Sequence, residues 1–82
     1  MRNIALVRVG GGTRYAIRGK DVYWRTMSLY RIRPDGRRAL IARVRVDRPR
    51  GELLPRLECV ERVMGSRLPP WKVMASLLAQ LT

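Results

Sequence analysis

Residues 24–46 read WRTMSLYRIRPDGRRALIARVRV, two β-rich runs separated by Pro34-Asp35-Gly36. Proline suits the second position of a type I turn, and the glycine two residues on is free to take positive φ, so the stretch reads as a hairpin whose turn ends in a bulge. Pairing Arg33 with Arg37 implies an unbroken register: Ile32 opposite Arg38, Tyr30 opposite Leu40, Ser28 opposite Ala42, Thr26 opposite Val44 and Trp24 opposite Val46. One face is then mostly apolar. The other carries Arg25, Arg31, Arg33, Arg37, Arg43 and Arg45, with Met27, Leu29, Ala39 and Ile41 between them. Like charges directly opposite each other, here Arg25 with Arg45 and Arg33 with Arg37, cost stability, and an anionic partner removes that cost. On this register, Arg45→Thr leaves stability unchanged or slightly raised. Met27, Leu29 and Ile41 fit it poorly: bare among the charges, they form an apolar patch that a partner or a second subunit has to cover.

Upstream, Ile4–Val9 and Thr13–Arg18 flank Gly10-Gly11-Gly12 and form a second hairpin. Setting Val9 against Thr13 puts Val7 opposite Tyr15 and Ala5 opposite Ile17, with Arg8, Arg14 and Arg18 on the other face beside Ile4, Leu6 and Ala16. The triple glycine reads as a turn, since it lacks the Gly-Lys-Ser/Thr ending of a phosphate-binding loop. Tyr23 and Trp24 are adjacent and point to opposite faces, which leaves Tyr23 among the arginines, where a base can stack on it.

Downstream, Leu53, Leu57, Val60 and Met64 recur at helical spacing between Pro55 and Gly65, and Leu68-Pro69-Pro70 opens a second helical pattern in which Trp71, Met74, Leu77, Leu78 and Leu81 share a face. The expected fold is α+β: a four-stranded antiparallel β-meander followed by two C-terminal α-helices packed on one sheet face. Residues 1–82 form a single domain, with a basic sheet over 1–47 and a helical hairpin over 52–82. Trp24, Tyr30, Leu40, Val44 and Val46 are expected to meet Leu57, Val60, Met64, Leu77 and Leu78. The last helix is more apolar than such a sheet needs, so a homodimer is expected, with Trp71, Met74, Leu78 and Leu81 at the contact.

Charge points to the partner. The chain has 82 residues and a net charge of +12; fourteen of its 18 basic residues lie within 1–50, so the sheet is the basic half. Arginine outnumbers lysine, and a guanidinium forks onto phosphate or carboxylate and stacks on bases. There is no histidine and one cysteine, Cys59, which the helical spacing buries as a small hydrophobe; an enzyme, an intrachain disulfide, a Cys/His metal site and a bound cofactor are therefore not expected. No apolar run is long enough for a signal peptide or a membrane span, and a cytoplasmic protein is expected. The second helix offers base edges only Lys72 and Gln80, so groove reading by a helix-turn-helix is rejected. The expected function is nucleic-acid binding, with RNA or single strands favoured, through Arg25, Arg31, Arg33, Arg37, Arg43 and Arg45, supported by Arg8, Arg14 and Arg18 and by Tyr23. The alternative is a small inhibitor or adaptor, of the kind phages and mobile elements encode, that binds an acidic patch on a host protein.

Overall fold

The Pro34-Asp35-Gly36 turn closes as its residues dictate. Gly36 donates to Arg33 O at 2.8 Å, Arg33 donates to Arg37 O at 2.9 Å, and Gly36 has φ 88°, a conformation that favours glycine. The computed structural model describes residues 2–21, 26–48, 50–51 and 55–81. Strands β1 (Arg2–Arg8), β2 (Arg14–Gly19), β3 (Met27–Ile32), β4 (Arg38–Asp47) and β5 (Arg56–Arg62) form one antiparallel sheet in chain order, followed by helix α1 (Trp71–Ala79). This corrects the expected four strands and two helices. The first hairpin has the expected pairs, Val7 with Tyr15 and Ala5 with Ile17, and Ile4 forms a bulge. Its turn at Gly10–Gly12, which has positive φ at Gly11 and Gly12, packs on the other hairpin's turn: a Cβ on Gly12 would lie 3.3 Å from the Pro34 side chain.

The central hairpin differs in one residue, with large consequences. Pairing runs as expected through Tyr30 and Leu40, but Leu29 then pairs with Ala42, Ser28 with Arg43 and Met27 with Val44, so Ile41 is an extra residue. A bulge shifts the ladder by one position, and because side chains alternate, everything beyond it changes face. Arg43 and Arg45 therefore leave the face that carries Met27 and Leu29. That face is the core: Met27, Leu29, Ile41, Ala42 and Val44 are buried together with Ala5 and Ile17, under Val73, Leu77 and Leu81 of the C-terminal helical segment. The supposed apolar patch among arginines is thus the interior. Tyr30 and Leu40, expected in the core, lie on the opposite face, where Leu40 is 39% exposed. Trp24 falls outside the described residues.

The expected helix from Leu53 is replaced by β5. A helix there would leave the Ala42–Asp47 edge of β4 unpaired, whereas a strand completes the ladder and sets Arg43 opposite Glu61, Arg45 opposite Glu58 and Asp47 opposite Arg56. Three opposite-charge pairs on one face define this register. Val60 bulges out at 54% exposure and Met64 is 98% exposed, so of the expected helical stripe's described members only Leu57 packs against the core. The Ile41 bulge also anchors the segment after β5, because its carbonyl accepts from Val63 N–H at 2.9 Å and lies 3.0 Å from the Ser66 hydroxyl.

Helix α1 starts after Pro69-Pro70 and buries Val73 and Leu77, with Met74 partly buried, while Trp71 at its start is 74% exposed. Just beyond it, the Gln80 amide clips the outer edge of β1. Its Oε1 accepts from Leu6 N–H and its Nε2 donates to Leu6 O, both at 3.0 Å.

Candidate nucleic-acid interface

The helix covers one side of the sheet and leaves the other open. Cross-strand partners share a face, so the register places three rows of side chains on the open side. Arg8, Arg14, Ile32 and Arg38 form the row nearest the turns; Leu6, Ala16, Tyr30 and Leu40 form the next; Asn3, Arg18, Ser28, Arg43 and Glu61 form the third. At the usual rise per residue, adjacent rows lie about 7 Å apart. An apolar strip with one aromatic ring therefore runs across four strands between two basic borders. Ala16 and Ile32 are buried even though no helix covers them, as expected where long arginine stems lie over small neighbours.

Arg8 sits directly opposite Arg14, a repulsive pairing of the kind anticipated for the basic face. Beside them lies a cleft of about 330 Å³ lined by Arg8, Gly12, Thr13, Arg14 and Pro34. The Arg38 guanidinium lies 5.5 Å from the centre of the Tyr30 ring. Arg18 donates to Asn3 Oδ1 at 3.1 Å, which orients it along the sheet. Where the open face reaches β5 it turns mixed in charge: Glu58 takes the Nε and Nη2 groups of Arg45 at 3.2 and 2.5 Å, and Glu61 stands opposite Arg43. The Glu58 hydrogen bond, followed by its charge, raises the Arg45 pKa, so this side chain remains a cation.

The structure divides the expected site residues. Arg8, Arg14, Arg18, Arg43 and Arg45 share the open face. Arg31 lies on the helix side, across from Tyr15 and Ala39. Arg33 and Arg37 face each other at the exposed turn, where Arg37 also sits 3.6 Å from Asp35. Arg25 and Tyr23 fall outside the described residues. Arg38 and Tyr30 were missed because the unbroken register counts them as core. Their signal was the chemistry itself, since a face holding both Arg38 and Tyr30 makes a poor interior. Of the expected dimer contact, Leu81 is core at 1% exposure, Met74 and Leu78 are half-buried, and Trp71 is exposed.

Arg45 requires a further correction, since its described neighbour across the ladder is Glu58 and not another arginine. Arg45→Thr should therefore lower the urea midpoint slightly. A midpoint equal to or above that of the parent would mean that the ion pair does not form in solution.

Comparisons with family models, with curated proteins and with solved structures find no match for this chain. The reading of the site rests on its own chemistry. Cys59 is exposed on β5 and not buried in a helix. Among the described residues, no cluster of His, Cys, Asp or Glu could hold a metal ion, and no helix is long and apolar enough to cross a membrane.

Proposed function

We propose that the open face of the sheet binds single-stranded nucleic acid, with RNA favoured. The observation that carries this reading is the pairing of Arg8 with Arg14, joined by Arg38 on one border and by Arg18 and Arg43 on the other, around the Tyr30 strip. Phosphates along the basic borders would relieve the repulsion, while a base stacks on Tyr30 or packs against Leu6 and Leu40. A flat strip between borders suits a splayed single strand, whose bases are available to rings. Glu58 and Glu61 repel phosphate and limit the footprint to β1–β4, which favours a strand running across the sheet and not along β5.

The test is a salt titration with an oligouridylate of about eight nucleotides, a length within the range that small single-strand-binding domains cover. Five phosphate contacts predict a log-log slope of about −3.5, and Arg38→Gln should flatten it by about 0.7. Binding that ignores salt, or an Arg38→Gln slope equal to the parent's, would remove the reading. Tyr30→Leu should weaken binding by about 1–3 kcal/mol without changing the slope, because it removes stacking and leaves the phosphate contacts intact.

A further inference from the structure

A second recessed surface lies at the β4 border of the sheet, reaching from the helix side round to Leu40. β5 pairs with β4 only over Ala42–Asp47, so the first part of β4 has no strand on that side among the described residues. Hydrogen-bonded pairs alternate along an antiparallel ladder. Arg33 and Arg37 are bonded, so Arg31 and Ala39 form the next bonded pair, and the N–H and C=O of Arg38 and Leu40 point away from β3. Facing that half-edge is the chain from Gly65 to Pro70, and between them lies a cavity of about 600 Å³. Such a volume is typical of ligand sites. Its lining includes Tyr15, Arg31, Leu40, Ser66, Arg67 and Leu68.

Two properties define the ligand that would fit. The first is apolar: the exposed large hydrophobic residues Leu40 and Leu68 line the notch, Val63 and Met64 precede its lining residue Gly65, and Trp71 comes directly after its lining residue Pro70. Apolar side chains gathered at one end of a small domain mark a contact surface. The second is charge: Arg31 and Arg67 are the charged residues of the lining, and no acid offsets them there. Tyr, Trp and Arg are also the residue types that dominate binding energy at protein contacts.

We propose that this notch takes an extended acidic peptide segment of a partner protein, which adds as a short strand beside Leu40. The backbone of Arg38 and Leu40 supplies the ladder, alternate apolar side chains of the peptide enter the cavity, and its carboxylates meet Arg67 and Arg31. Nucleic acid suits this notch less well, because the edge offers backbone groups at strand spacing, which a peptide can pair with and a nucleic-acid strand cannot.

The test uses the full chain and an acetylated, amidated Val-Glu-Val-Glu-Val-Glu peptide at about 1 mM, the weak end of specific affinity. Backbone amide spectra should show saturable shifts at Leu40, Gly65 and Ser66. Arg67→Glu should weaken binding about tenfold or more, while Arg14→Glu on the opposite face leaves it unchanged. The same peptide N-methylated at alternate residues cannot form a ladder and should not bind. No shift with the parent peptide, equal binding of the N-methylated form, or an eight-nucleotide oligouridylate that moves the Gly65 and Ser66 amides in place of those on the open face would each overturn the proposal. Arg38 and Leu40 border both surfaces, but the peptide result turns on Arg67 and the backbone ladder and the salt titration on the Arg38 guanidinium, so the two readings can fail separately.

Discussion

Leu29→Asp should abolish folding, whereas Leu40→Asp should leave a folded protein. Leu29 is fully buried beneath the C-terminal helical segment, among Ile17, Met27, Ile41 and Leu77. Truncation of such a side chain alone costs about 2–5 kcal/mol, and an unpaired carboxylate in its place adds several more. A domain of 82 residues holds a total of about 4–12 kcal/mol, so the variant has little or nothing left. Leu40 is 39% exposed on the other face, where its loss should cost about 1 kcal/mol or less. Circular dichroism and urea unfolding of both variants decide the matter. A folded Leu29→Asp beside an unfolded Leu40→Asp would mean that the hairpin keeps the unbroken register and that the helix covers the other face.

The second large effect concerns binding. Changing Arg14, Arg18 and Arg43 to Glu, and separately Arg31, Arg33 and Arg37 to Glu, lowers the net charge equally, from +12 to +6, because each substitution removes two units. Only the first set lies on the open face. If the face binds single strands, the first triple variant should lose about 100-fold or more in affinity for the oligouridylate and about 2 units of salt slope. The second should lose about tenfold or less, through the general field of the protein. Equal losses would show that bulk charge, not a surface, attracts the polyanion. Both triple variants should keep the parent's circular dichroism, since most of the altered side chains are exposed and none is core.

Turn chemistry was legible from the residues. Pro34-Asp35-Gly36 and the triple glycine each place a turn, and pairing outward from them yields the first hairpin as far as its bulge at Ile4 and the first steps of the second. The Ile41 bulge was not legible, because no residue type announces one, and a slip of one position preserves alternation while exchanging the faces. Its trace was indirect: Met27, Leu29 and Ile41 lay among arginines and required an outside cover. The helix read into 53–64 arose from four apolar residues at helical spacing, a pattern that a strand of seven residues also tolerates when only Leu57 turns inward. The overlooked signal was longer in range. Asp47 and Arg56, Arg45 and Glu58, and Arg43 and Glu61 are complementary in near-constant register, and such cross-strand charge matches specify a neighbour better than the spacing of a few apolar residues. For the site, the basic half of the chain pointed to the sheet, but the bulge decides which arginines converge.

The clip that Gln80 places on Leu6 makes the molecule one-sided as a building unit. Strand addition that joins β1 of one copy to the β4–β5 side of the next would repeat without end, the head-to-tail geometry that gives filaments. With Leu6 in the middle of the β1 border already bonded, strand addition among the described residues favours the opposite border, and two copies meeting there use up that edge of each. Association of this kind stops at a closed pair, so a small and highly charged sheet can remain adhesive on one flank without polymerising.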